Sequence, residues 1–181
     1  MDFKKELEIA LKQVEYAFEC NNVSVPDMLK TSFSGRMTRC MGYTYIKYSS
    51  CFSSFNLIGA EIKLSKKLWE RATPAERKNT VIHEACHVIQ AVVDSDGYRR
   101  TKGGHGQKWK ELMVNTGEEP EICHKVSTCG LERRQQRFTY CCACREHKIT
   151  KTRVNKIKKG AVYRCVKCKQ EIVPKSSCSC V

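Results

Sequence analysis

The chain has 181 residues with 33 Lys and Arg against 19 Asp and Glu, a net charge of +14, and 41% of its residues are hydrophobic. That balance supports a packed core and excludes a disordered polyelectrolyte. The most apolar stretch, Val81 to Val93, is interrupted by His83, Glu84, His87 and Gln90, so a membrane-spanning helix is excluded as well.

Phe3 to Glu19 places Phe3, Leu7, Ala10, Leu11, Val14, Ala17 and Phe18 on one face at helical spacing. The acids in Asp2-Phe3-Lys4-Lys5-Glu6-Leu7-Glu8 stand where a signal peptide needs a bare apolar segment. The expectation is therefore an intracellular protein, cytoplasmic or nuclear according to its source. Gly35 to Tyr48 reads as a strand broken near Gly42, Ser49 to Asn56 as a loop, and Ile58 to Leu64 as a second strand of a hairpin or meander. Thr73-Pro74-Ala75-Glu76 is a helix start with a cap, a proline in the first turn and a capping-box glutamate. That helix is expected to run to about Val93, where Asp94-Ser95-Asp96-Gly97 has turn chemistry. A second helix opens near His105-Gly106-Gln107 and runs to Thr116, with Gly117 as its stop. Residues 118–136 read as a linker, and 137–174 as short strands around two cysteine pairs.

Two chemical signals stand out. Val81-Ile82-His83-Glu84-Ala85-Cys86-His87 contains H-E-x-x-H on the capped helix. Residues four apart share a helical face, so His83 and His87 can hold one zinc ion, with Glu84 beside it to take a proton from a bound water. A catalytic zinc needs a third protein ligand, and the candidates are Asp94, Asp96, His105, Glu111 and His124. His105 is favoured, flanked by Gly104 and Gly106 at the start of the second helix, and Glu111 is the runner-up. Base deamination is excluded because it needs H-x-E followed by P-C-x-x-C.

The second signal is cysteine spacing. Thirteen cysteines in a reducing compartment favour metal ligation over disulfides. Cys141-x-x-Cys144 and Cys165-x-x-Cys168 stand at nearly zinc-ribbon spacing, so these four are expected to hold a structural zinc. Cys142 could replace Cys141, at the cost of a pair with one intervening residue.

The charge is local. Residues 1–130 hold 19 Lys/Arg and 16 Asp/Glu, a net of +3, whereas 131–181 hold 14 and 3, a net of +11. So concentrated an excess suits a polyanion, with nucleic acid as the expected partner. Arg145, Lys148, Lys151, Arg153, Lys156, Lys158, Lys159, Arg164, Lys167 and Lys169 are the candidate contacts, with Tyr140 and Tyr163 able either to stack on unpaired bases or to pack in the ribbon.

Taken in order, His83-Glu84-Ala85-Cys86-His87, Gly104-His105-Gly106-Gln107-Lys108-Trp109, Cys123-His124 and the Cys141/Cys144 and Cys165/Cys168 pairs resemble the SprT-like metalloprotease family. Gly42 and Ile62-Lys63-Leu64-Ser65 resemble its upstream pattern. The resemblance implies an α+β, zincin-like core with a small antiparallel sheet at 1–130, a β-rich zinc ribbon at 131–175 and a flexible tail at 176–181. It implies a catalytic zinc on His83, His87 and His105, with Glu84 as general base, and a second, structural zinc. It also implies an endopeptidase coupled to DNA, single-stranded DNA included, acting on proteins bound or crosslinked to it; a monomer is expected. A non-enzymatic nucleic-acid-binding protein built on the ribbon is the competing reading.

Overall fold

The helix read at the N-terminus is α1, Phe3–Cys20. The Asp2 carboxylate caps it by accepting the Lys4 N–H at 3.0 Å. Ala10, Val14, Ala17 and Phe18 are buried on its inner face, but Leu11 of the expected stripe is exposed, because the buried face is narrower than the apolar one. The computed structural model describes residues 1–51, 54–101, 104–131 and 136–177. It divides into two compact units, Met1–Glu132 and Arg133–Val181.

In the first unit, three strands form a mixed sheet: β1 (Leu29–Ser34), β2 (Gly42–Cys51) and β3 (Ser54–Ser65), in the order β1-β3-β2. Three expectations change here. The sheet is not purely antiparallel, because β1 runs parallel to β3, Leu29 facing Ala60 and Ser34 facing Ser65. The stretch Gly35 to Met41 is not strand, since β2 begins at Gly42. The loop at Ser49 to Asn56 is largely consumed by the antiparallel β2–β3 ladder, which extends to Cys51 opposite Ser54. Ladder pairing continues as long as backbone groups find partners, whatever the local composition. A single turn of helix, α2 (Lys66–Trp69), follows β3.

The central helix, α3, spans Pro74–Val93 with the capping box in place: the Thr73 side chain accepts the Glu76 N–H, and the Thr73 N–H donates to Glu76 Oε2 at 2.8 Å. Asp94 then caps a short helix, α4 (Ser95–Arg100), where a turn was expected. Its carboxylate accepts the Gly97 N–H at 3.0 Å, the same Asx geometry that makes turns. α5, Gln107–Asn115, stops at Thr116 with Gly117 at φ +75°. The core gathers Phe18 of α1, Ile62 and Leu64 of β3, Val81, Ile82, Val88 and Ile89 of α3, and Trp109 and Met113 of α5. α3 therefore has one face in the core and presents its histidines at the core's edge.

In the second unit, β4 (Arg137–Cys142) pairs with β5 (Arg145–Thr150) and with the short β6 (Val173–Pro174), and Lys175–Ser177 forms a 3-10 turn. A helix, α6 (Lys151–Lys158), stands where strands were expected. Only Val154 and Ile157, three residues apart, face its small core, too few for a visible helical period. Of the expected tail, 178–181 lie outside the described residues. Among the described residues no helix is long and apolar enough to cross a membrane.

Candidate metal centre and active site

His83 and His87 lie one turn apart on α3, and His105 reaches them from the residue before the Gly106 N-cap of α5. Nε2 of His83 is 3.2 Å from Nε2 of His87 and 3.0 Å from Nε2 of His105. Nδ1 of His83 donates to the Glu121 carbonyl at 3.1 Å, which leaves its Nε2 bare. Burial pushes the His83 pKa down to about 4, with His105 adding to the effect. Burial pushes His87 down to about 3, with His83 and His105 adding, and burial lowers His105 as well. One nitrogen from each of the three imidazoles lies within 4.8 Å of the others, so a cation between them could accept all three lone pairs. The donor set fits zinc with an open fourth position.

Trp109, wholly buried, builds the wall behind the three rings. It stacks on His87 at 5.6 Å and 22°, and meets His83 and His105 edge-on at 4.7 and 4.6 Å. Its Nε1–H donates to the His83 carbonyl at 3.4 Å. Gly104 has φ +72°, and a Cβ there would lie 3.0 Å from Cε1 of His87, so this position needs glycine for its backbone and for its closeness.

The other candidate ligands are placed elsewhere. Asp94 caps α4, Asp96 pairs with Arg100 at 3.5 Å, and Glu111 pairs with Lys108 at 3.7 Å on the exposed face of α5. Nε2 of His124 bonds the Arg39 carbonyl at 3.2 Å on the wall of the cleft. Tyr98, Arg99 and Thr101 also line the cleft.

Glu84 is buried, and burial raises its pKa to about 7 against the opposing effect of a hydrogen bond from Thr44. That hydroxyl lies 2.6 Å from Oε2 and 3.0 Å from the Glu84 carbonyl oxygen. Gly42, two residues earlier on the same face of β2, lets the carboxylate in: a Cβ there would be 2.5 Å from Cγ and 2.6 Å from Oε1. Gly42 and Thr44 thus form a cradle in which the Thr44 hydroxyl holds Oε2 and Oε1 packs against Gly42. The role of Thr44 had no signal in the sequence, because nothing local says which strand lies across which turn of α3. The site opens into a cleft of about 1090 Å³ lined by β2 residues Gly42 to Thr44 on one side and by Glu118, Glu119 and Glu121 to Lys125 on another.

The sequence model of the SprT-like family matches residues 10–129, which contain the three histidines, Glu84, Gly42 and Thr44. The chain belongs to the SprT-like family. It is similar to Protein SprT of Escherichia coli K12, 33% identical over 117 residues that cover 64% of this chain and 67% of the relative. It is 32% identical to Protein SprT of Escherichia coli O157:H7 over the same length. A shorter match, 38% over 73 residues, covers 39% of this chain and 43% of Protein SprT of Shigella boydii serotype 18. The family match ends before the cysteine module, which therefore rests on its own geometry.

In that module the thiols of Cys142, Cys144, Cys165 and Cys168 lie within 4.8 Å of one another. Cys141 is not in the group, which corrects the expected C-x-x-C pair to Cys142-x-Cys144. The reason is strand alternation: neighbours on β4 point to opposite faces, and Cys141 Sγ lies 3.8 Å from the Val173 carbonyl oxygen instead. The two-residue turn between Cys142 and Arg145 then brings Cys144 round to 3.4 Å from Cys142. Backbone N–H groups of Cys168 and Lys167 favour the Cys165 thiolate, and its pKa falls to about 5. His147 Nε2 is 3.2 Å from Cys142 Sγ, an outer partner that spacing did not reveal. Four thiolates in this arrangement fit a closed structural zinc site.

The ten basic residues named from the sequence are all exposed in the second unit, five of them on α6 and in the residue after it. Tyr140 is buried in the module's core, so it cannot stack on a base. Tyr163 is half-buried under the Arg153 guanidinium, 5.9 Å from the ring centre.

Proposed function

We infer that the protein is an intracellular zinc-dependent endopeptidase whose second unit binds DNA, and that its substrates are proteins bound or crosslinked to that DNA. The observation that carries the reading is the pairing of a buried, cradled Glu84 with three converging imidazoles at the wall of an open cleft. A site meant only to hold a metal gains nothing from a buried carboxyl group beside it.

Zinc, when bound, supplies a Lewis acid and lowers the pKa of a bound water toward neutrality. The chain's own contribution is positional. His83, His87 and His105 stay neutral and so keep their lone pairs available. Glu84 accepts a proton on the oxygen that Thr44 does not hold, and can return it to the leaving amine. The cleft accepts an extended polypeptide along β2, an edge strand of its sheet among the described residues. The exposed cations of the second unit supply phosphate contacts that are weakened by salt.

The test is Glu84→Gln in the full chain. Cleavage of a labelled unfolded protein, with and without single-stranded DNA, should fall by about 100-fold or more, while zinc content and DNA affinity stay at wild-type values. Retained cleavage sinks the peptidase reading. Retained zinc and DNA binding in a wild-type protein that cleaves nothing favours the binding-module reading instead.

A further inference from the structure

The outer face of the N-terminal sheet carries a feature that the peptidase site does not use. Alternation puts Thr44, Ala60, Ile62 and Leu64 toward the core, so their neighbours face solvent. Tyr43 and Tyr45 stand there side by side on the edge strand β2, 53% and 44% exposed. Two adjacent exposed rings rimmed by charged side chains form a contiguous patch of the kind that marks interaction surfaces. The register places Lys63 beside Tyr43 and Glu61 beside Tyr45, with Lys30 next to Glu61 on β1. Lys47 follows on β2, its ammonium 5.7 Å from the centre of the Tyr45 ring.

Charge chooses the occupant. Lys30, Lys47 and Lys63 against Glu61 leave the face at +2, and Glu61 is already satisfied by Lys63 at 2.9 Å and by the Ser32 hydroxyl at 3.4 Å. Two aromatic faces flanked by lysines match a chain that alternates π-faces with phosphates. Residues two apart on a strand are about 6.7 Å apart, roughly twice the 3.4 Å base-stacking repeat, so one unpaired base has room between the two rings. A duplex offers no free faces and does not fit.

We propose that the exposed face around Tyr43 and Tyr45 is a second nucleic-acid contact, taking single-stranded DNA or RNA by stacking and separate from the basic residues of the second unit. Tyr43 also lines the cleft, so a strand held there passes the rim of the peptidase site. The inference stands on the sheet's own residues, and it extends the reading of a DNA-coupled protease by bringing nucleic acid to the protease unit itself.

The experiment uses the full chain and an oligodeoxythymidine of about 12 nucleotides carrying 5-iododeoxyuridine, crosslinked by long-wave ultraviolet light and mapped by peptide mass spectrometry. Adducts on Tyr43 or Tyr45 are expected, and the Tyr43→Ala/Tyr45→Ala variant should bind the oligonucleotide about 10-fold more weakly. Tyr43→Phe/Tyr45→Phe should bind within about twofold of wild type, since stacking needs the ring and not the hydroxyl. Adducts confined to residues 137–177 overturn the inference and leave the DNA-coupled reading intact. No adduct anywhere overturns both. Unchanged affinity in the alanine variant, with melting temperature preserved, also overturns it.

Discussion

Replacing Gly42 with alanine tests whether the fold, and not merely the motif, places the general base. The added Cβ would stand 2.5 Å from Cγ of Glu84, 2.6 Å from Oε1 and 2.8 Å from Cδ, where ordinary contact begins at 3.4 Å. One side must therefore give by about 1 Å, a displacement that in an active site can cost about 100-fold in rate. Overpacking of this kind also costs about 1–3 kcal/mol of stability. Gly59 on β3 is the control, because a Cβ there meets only Lys47 at 3.7 Å. Initial rates on a labelled unfolded protein, measured beside zinc content and urea unfolding, should show Gly42→Ala falling about 100-fold with zinc retained. Gly59→Ala should stay within about threefold. A Gly42→Ala protein with wild-type rate would refute the cradle, and equal loss in both variants would reassign it to general damage.

Thr44→Val removes the hydroxyl 2.6 Å from Glu84 Oε2 and should lower kcat by about 10- to 100-fold with KM unchanged, a hydrogen bond to a charged group being worth about 1.5–3 kcal/mol; Thr44→Ser should recover most of it, and a valine variant at full rate would remove Thr44 from the account. Cys142→Ser should lower bound zinc from two ions per chain toward one, whereas Cys141→Ser should leave the metal count unchanged; plasma mass spectrometry on both decides which thiol is the ligand. In metal-stripped protein, Glu84 has its pKa raised from 4.5 to about 7 by burial, so its share of stability is present below pH 4.5 and lost as pH rises to 7. His83 and His87, pushed down to about 4 and 3, act in the opposite sense, losing stability as pH falls below 6.5. Subtracting wild type from Glu84→Gln isolates the first effect: the variant's relative stability should grow by about 3 kcal/mol between pH 4.5 and 7.5, and a flat difference by urea unfolding would contradict the burial.

Much of this site is legible in residue order alone. Helical spacing in His83-Glu84-Ala85-Cys86-His87 fixes two ligands and the base on one face, and Thr73-Pro74-Ala75-Glu76 fixes where that helix starts, because both are local properties of the backbone. His105 is legible from its glycine neighbours and its place before a helix. Local sequence also determines the concentration of cations after residue 131. What the sequence does not contain is which segments meet. The parallel pairing of β1 with β3 joins stretches about 30 residues apart, and only that sheet, laid across α3, brings Gly42 and Thr44 to Glu84. The choice of Cys142 over Cys141 turns on which face of β4 looks toward Cys165, a matter of strand phase that counting intervening residues cannot settle. Spacing along a chain determines what a single helix can present, whereas pairing and packing between elements determine what it is presented to.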